Sequence, residues 1–268
     1  MPRVDIGPGS RALVTGASRG IGRAVAAALA ARGATVGLAA RSTADLEAAA
    51  AGLPGSHHVL TCDVSLPASV AGAVERFVAA AGGLELVVAN AGIAYYEPVA
   101  AQSLEHVEEM TRVNWLGTVY TVKAALPRLL EQGRGHIVVM SSGAALRSFP
   151  GAAAYSATKA AQRLFADALR HELAGSGVSL TTVHPGEIRT SLHAHEASRM
   201  PGWHRGGSQA ATPEALAERV VDSVERDRRH VHFRRLVRGM GMLNGLSPAA
   251  ADAVLRRLRG ATAAPRRD

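Results

Sequence analysis

The chain has 268 residues and 47% hydrophobic content, enough to bury one sizeable core and better matched to a single α/β domain than to two small ones. Its longest apolar runs, such as residues 25–31 and 84–89, fall far short of the roughly 20 residues a bilayer-spanning helix needs, which excludes such a span. The net charge of +8 is concentrated late, in residues 226–238 and 256–267, so it reads as a local patch or tail, and the body of the chain needs no nucleic-acid partner.

In chain order, residues 1–10 hold prolines, glycines and an acid where a secretory signal would place a basic start and a long apolar run, so a cytoplasmic protein is expected. Short aliphatic runs then alternate with longer alanine-rich stretches. Strands are expected at residues 12–15, 35–39, 58–61, 86–89, 136–140, 179–183 and 230–233. Helices are expected at 20–32, 44–52, 67–81, 104–131, 154–174 and 213–226, with Pro67 and Pro213 at helix starts, where the missing N–H costs nothing. This alternation builds a doubly wound sheet of seven parallel strands with helices on both faces. Residues 191–212 break the rhythm with His, Gly, Ser and Arg around Pro201-Gly202 and Gly206-Gly207, and read as a mobile substrate loop. Residues 1–235 are thus expected to form one domain, followed by a basic amphipathic extension over 236–268 that contains a helix at 248–259. The single cysteine, Cys62, lacks a CxxC or metal-ligand neighbour and reads as a small buried hydrophobe.

The first strand runs into Thr15-Gly16-Ala17-Ser18-Arg19-Gly20-Ile21-Gly22 and then into a helix. That order lets glycine backbone approach a pyrophosphate at a helix N-terminus, where unpaired N–H groups favour anions. A glycine cluster alone can be an ordinary turn. Its place here decides for a dinucleotide site, because open α/β sheets bind ligands at strand ends, and the next ends supply Arg41, Asp63-Val64 and Asn90-Ala91-Gly92. The sheet is accordingly of the Rossmann type. No acid closes the second strand, where an NAD enzyme would bond the ribose 2′-hydroxyl, while Arg41 and Arg19 offer a cationic clamp for a 2′-phosphate. NADP(H) is the expected cofactor.

Tyr155 and Lys159 lie four residues apart on an expected helix and project from one face. A free phenol has a pKa of about 10, and a nearby ammonium is expected to lower it toward the range where acid-base catalysis works. Ser142, just past the strand at 136–140, is placed to hydrogen-bond a substrate carbonyl.

The glycine turn, Asn-Ala-Gly, Ser142, Tyr-x-x-x-Lys and Pro185-Gly186-Glu187-Ile188-Arg189-Thr190 follow one another at successive strand ends. In this the sequence resembles the short-chain dehydrogenase/reductase family over nearly all of residues 10–235. The resemblance puts the family's glycine-rich motif on Gly16, Gly20 and Gly22, with Ser18, Arg19 and Ile21 beside them at the cofactor. It puts the adenine-binding acid on Asp63, next to Val64. Asn90, Ala91 and Gly92 would stabilise the sheet and line the cofactor pocket, although the family's frequent Asn-Asn-Ala-Gly is Ala89-Asn90-Ala91-Gly92 here. Asn114 matches the active-site asparagine, where family members use a helix irregularity and a water to connect the lysine to solvent. Ser142, Tyr155 and Lys159 match the other catalytic positions, Lys159 also binding the nicotinamide ribose, while Pro185, Gly186, Ile188 and Thr190 match the segment that holds the carboxamide.

The implied activity is hydride transfer between NADP(H) and a ketone, aldehyde or secondary alcohol, with Tyr155 as general acid or base and no metal. The substrate pocket is expected from residues 94–97, 143–150 and 191–207. A homodimer or homotetramer is implied, packed through the helices at 104–131 and 154–174. The same residues would serve an oxidising secondary-alcohol dehydrogenase. A non-catalytic NADP-binding regulator would have no need of Asn114, Ser142, Tyr155 and Lys159 together. A nucleic-acid binder is disfavoured by the scarcity of stacking aromatics, with four phenylalanines and four tyrosines in the chain.

The histidine pairs His57-His58, His193-x-His195 and His230-x-His232 have no accompanying cysteine or carboxylate cluster, so they read as ordinary core or surface residues and not as a metal site. His193, His195, Trp203 and His204 either touch substrate or pack the loop closed. The extension, with Leu255 and Leu258 beside Arg256, Arg257 and Arg259, reads first as a helix packed on the enzyme with its arginines in water. The other reading is weak peripheral contact with an anionic membrane, by an enzyme of lipophilic substrates.

Overall fold

The central strands carry apolar side chains toward both faces, and a sheet sandwiched between two helical layers is the arrangement that buries them all. The computed structural model, which describes residues 4–192, 210–233 and 235–258, has this architecture. Its strands are β1 (Arg11–Thr15), β2 (Thr35–Ala40), β3 (His57–Thr61), β4 (Leu86–Ala89), β5 (Gly135–Met140), β6 (Val178–Pro185) and β7 (His230–Phe233). They form one seven-stranded parallel sheet in the order β3-β2-β1-β4-β5-β6-β7. The helices are α1 (Gly20–Ala30), α2 (Thr43–Ala50), α3 (Pro67–Ala81), α4 (Leu104–Met110), α5 (Gly117–Glu131), α6 (Ala153–Glu172), α7 (Pro213–Glu225), α8 (Arg235–Leu246) and α9 (Pro248–Leu258).

Alternation along the strands divides the core into two layers. On β1, Ala12 and Val14 pack with Val25 and Leu29 of α1 and Leu216 and Val220 of α7. Leu13, between them, joins Phe77 of α3 and Leu129 of α5 on the other face. β5 repeats the pattern, with Val138 and Met140 in the first layer and Ile137 and Val139 in the second. From β1 the chain builds outward through β2 and β3, then returns so that β4 pairs with the opposite side of β1. The crevice between these two directions opens at the carboxyl ends of the strands, the place where such sheets bind ligands. At the other end Arg11 grips Glu85 in a fork, with Nη2 to Oε1 at 2.6 Å and Nε to Oε2 at 2.9 Å.

The structure departs from the helices read from periodicity in two places, the first being where the family resemblance implied a helix irregularity. The helix expected over 104–131 is interrupted by a π-helical turn at Thr111–Leu116 between α4 and α5. Asn114 sits in that turn with its side chain bonded to the main chain of Ile93, accepting at Oδ1 from the Ile93 N–H at 2.8 Å and donating from Nδ2 to its carbonyl at 3.0 Å. Such an inserted bond pattern accommodates one extra residue per turn and swings a chosen side chain off the regular helical face. The second departure is α8, where no helix was expected. Gly239, Gly241 and Gly245 each lower helix propensity by about 1 kcal/mol, and packing against residues 143–147 overrides them. Residues 193–209, with His193, His195, Trp203 and His204, lie outside the described residues, as do 259–268. Among the described residues no helix is long and apolar enough to cross a membrane.

Candidate active site

The ends of β1 and β4 are stitched together before any ligand is considered. Thr15 Oγ1 accepts from the N–H groups of Asn90 at 3.0 Å and Ala91 at 3.2 Å, and Asn90 Nδ2 donates to the Thr15 carbonyl at 2.9 Å. The turn that follows closes tightly because it is glycine. Gly16 has φ +67°, and a Cβ on Gly22 would lie 2.2 Å from the Gly16 carbonyl oxygen. No side chain caps α1 at Arg19, so the first-turn N–H groups are offered to a ligand and not to the protein. This cradle fits the pyrophosphate of a dinucleotide.

Beyond the turn, Asp63 is fixed by Ser65, whose N–H and hydroxyl both donate to Oδ1, at 2.9 and 2.7 Å. Cys62 beside it is buried, and burial pushes its thiol pKa up, in keeping with a packing role. β2 ends on Ala40 with no acid, and the exposed side chains of Arg19 and Arg41 both border the cleft.

At the chemical end, Tyr155 and Lys159 project from one face of α6, with Lys159 Nζ 5.8 Å from the centroid of the Tyr155 ring. Nζ donates to the carbonyl of Met140, the last residue of β5, at 3.1 Å, and the Ser141 hydroxyl donates to the Lys159 carbonyl at 2.8 Å. Ser142 follows, lining the cleft with Tyr155 and pulling the phenol pKa down, and its Oγ accepts from the Ala144 N–H at 3.1 Å. The Tyr96 ring stands edge-on to Tyr155 at 5.5 Å, and Phe149 lies 5.7 Å from Tyr96, so the phenol is walled by aromatics.

Asn114 is fully buried behind this surface. A Cβ on Gly92 would lie 3.2 Å from Asn114 Oδ1 and 3.4 Å from Lys159 Nζ, so the two groups converge on Gly92. Asn114 Nδ2 also donates to Thr158 Oγ1 at 3.1 Å, and its carbonyl accepts from Gln162 Nε2 at 2.9 Å. Tyr155, Lys159 and Gln162 fall at i, i+4 and i+7, a helical spacing from which Gln162 was legible although the motif passes over it.

One expectation about the electrostatics is overturned. Lys159 was expected to make the phenol more acidic, whereas burial pushes Tyr155 up to about 12, with only the Ser142 hydrogen bond pulling the other way. Burial also brings Lys159 down to about 7. Desolvation sets both directions, because burial disfavours the charged form of each group. Tyr155 therefore keeps its proton across the physiological range.

These groups share one cleft of about 1060 Å³. It is lined by Gly16, Ser18, Arg19, Gly20, Ile21 and Gly22 of the turn, by Arg41, Asp63 and Val64, by Asn90, Ala91 and Gly92, and by Ser142, Tyr155 and Lys159. Pro185, Gly186, Ile188 and Thr190 complete that side. Of the catalytic and cofactor residues expected from the sequence, Asn114 alone is set behind the surface; of the expected substrate segments, Ala94, Tyr95, Glu97, Ala145, Leu146 and Pro150 do not line the cleft. The substrate end holds Tyr96, Ala144, Arg147, Ser148, Phe149 and Leu192, and also Val237 and Met240 of α8, which the sequence had assigned to the extension. Farther along the strands, His184 stacks with His232 at 5.0 Å and with His230 at 5.7 Å. Among the described residues no three His, Cys, Asp or Glu side chains gather as metal ligands.

Comparison with known proteins matches residues 10–200 to the short chain dehydrogenase family model. An uncharacterized oxidoreductase of Myxococcus xanthus is 40% identical over 195 residues, covering 71% of this chain and 76% of that protein. A glycine betaine reductase of Emericella nidulans is 36% identical over 236 residues, which is 85% of this chain but 18% of that much longer protein. Among solved structures, a short chain dehydrogenase from Burkholderia cenocepacia in complex with NADP superposes with a TM-score of 0.75 at 31% identity, over 85% of this chain and 97% of that one.

Proposed function

Because this chain belongs to the short-chain dehydrogenase/reductase family, we propose that it reduces a ketone or aldehyde with NADPH, with Tyr155 donating the proton. The observation that carries this reading is the state of Tyr155. It is buried at the cleft beside Ser142, and burial raises its pKa to about 12, so at neutral pH it holds the proton that a donor must carry. The oxidising direction would use the same residues, with Tyr155 taking the proton back.

The cleft residues from Gly16 to Gly22 and from Pro185 to Thr190 would hold a nicotinamide cofactor, whose chemistry there would be hydride transfer to the carbonyl carbon. The protein does the rest. Ser142 orients the carbonyl oxygen, and the Tyr155 hydroxyl passes its proton to that oxygen as charge develops there. Lys159, titrating at about 7, is suited to hand on the replacement proton. Asn114 holds Ile93 and so fixes the adjacent Gly92 at the cleft wall. Arg19 and Arg41, at a strand end without an acid, support NADPH over NADH, as does the NADP complex of the Burkholderia relative.

The test is a panel of ketones, aldehydes and quinones with each nicotinamide, followed by absorbance. Consumption of NADPH in preference to NADH is expected. Preference for NADH, or turnover confined to alcohol oxidation, would overturn the reading.

A further inference from the structure

α8 borders the cleft that holds Tyr155. One edge of that helix, Val237, Gly241 and Asn244 at i, i+4 and i+7, packs on the turn that Ser142 begins. A Cβ on Gly143 would lie 3.2 Å from Val237 Cγ1, and one on Gly241 would lie 3.1 Å from Leu146 Cδ1. Asn244 Nδ2 donates to the Leu146 carbonyl at 3.1 Å. The helix is thereby fixed to the residues that carry the active-site serine, with Val237 and Met240 at the cleft. The neighbouring lining residues Tyr96, Phe149 and Leu192 are apolar or aromatic.

Among the described residues Arg147 is the arginine that borders this apolar end, and its Nη2 is ion-paired with Oδ1 of Asp252 on α9. The arginine side chain is 24% exposed, and its Nε is buried with no hydrogen-bond partner among the described residues. An uncompensated guanidinium here would recruit a carboxylate, because two opposite charges in a partly dry cleft attract far more strongly than in water. Asp252 occupies that role from within the protein.

We infer that α8 and α9 select the substrate: Val237 and Met240 receive the apolar arm of a neutral carbonyl compound, while Asp252 masks the Arg147 cation that would otherwise favour an anionic one. The inference rests on the carbonyl reduction proposed above and names its substrate class. Val237 and Met240 determine specificity by contact. Asn244 and Asp252 are positioning residues.

The experiment measures binding by calorimetry in the presence of oxidised cofactor, so that no ketone is turned over. The ligands are straight-chain methyl ketones of increasing length, and the longest of them again with a terminal carboxylate. In the wild type, affinity should rise about three- to fourfold per methylene and favour the neutral ketone over the keto acid. Met240→Ala should flatten the length dependence. Asp252→Asn should shift the ratio of affinities at least about tenfold toward the keto acid, the scale of a charge-assisted hydrogen bond. The double variant Arg147→Met/Asp252→Asn should cancel that shift, which mere loosening of α9 would not do. Affinity independent of chain length, an unchanged ratio in Asp252→Asn, or a shift that persists in the double variant overturns the inference. The expected pattern in a protein that consumes no NADPH upholds this substrate wall and removes the reductase reading alone.

Discussion

Lys159 Nζ rests 5.8 Å from the centre of the Tyr155 ring, tethered to the Met140 carbonyl at the end of β5. Burial drives the two groups apart in pKa and reverses their order, the phenol up to about 12 and the ammonium down to about 7. The pair is a protonated donor beside a lysine that is half-charged at neutral pH.

The rate of carbonyl reduction should therefore carry the titration of Lys159. As pH rises through about 7 the ammonium loses its proton, so kcat/KM should fall on the alkaline side. Lys159→Met should lower the rate and remove that limb. A wild-type profile that stays level from neutral to alkaline pH would show that the lysine charge plays no part.

Arg41→Ala should narrow the preference for NADPH over NADH by about tenfold or more, since a hydrogen bond to a charged group contributes about 1.5–3 kcal/mol. Arg19→Ala should act in the same direction. Ratios of kcat/KM for the two cofactors read the effect, and an unchanged ratio in both variants would remove the clamp.

Asn114→Ala should destabilise the fold, because the half-buried Ile93 N–H and carbonyl and the buried Thr158 hydroxyl lose their side-chain partner. The cost is about 1–3 kcal/mol for an orphaned buried group, read by urea denaturation. Turnover should fall with it, since Ile93 follows Gly92 at the cleft. A variant as stable as the wild type would contradict the positioning role.

Acid should weaken the fold through two imidazoles. Burial holds His136 down to about 4, and burial, followed by His232 and His230, holds His184 down to about 3. In the unfolded chain both titrate at about 6.5, so between these values the unfolded state binds more protons. Their contribution is intact above about 6.5 and is lost as pH falls toward 4. The slope from both together approaches about 2.7 kcal/mol per pH unit. Denaturation midpoints at neutral and mildly acid pH test this, and equal stability would place both histidines in solvent.

How much of this was legible in the sequence follows from the range of the interactions. The glycine turn, Asn90-Ala91-Gly92 and Tyr155 with Lys159 are local patterns at strand ends, and each lands on the cleft. The strands were readable because β4 is buried throughout and uniformly apolar, and β5 is apolar from Ile137 to Met140. The π-helical turn at Asn114 was not readable from periodicity, because its cause is a bond to Ile93, 21 residues away. The substrate wall was hidden for the same reason. Asn244 bonds to Leu146 across 98 residues, and the glycines of α8 conceal a helix that only packing sustains. The direction of the Tyr155 shift was misjudged because spacing shows the neighbouring charge and not the depth of burial.

The central claim is that the Tyr155 hydroxyl delivers the proton. Its most direct test is the single-turnover rate of NADPH oxidation by Tyr155→Phe with a carbonyl accepted by the wild type, alongside the affinity of the variant for NADPH. The account predicts a rate lower by about 10²–10⁴-fold with cofactor affinity retained. A variant that reduces the carbonyl at close to the wild-type rate would contradict it.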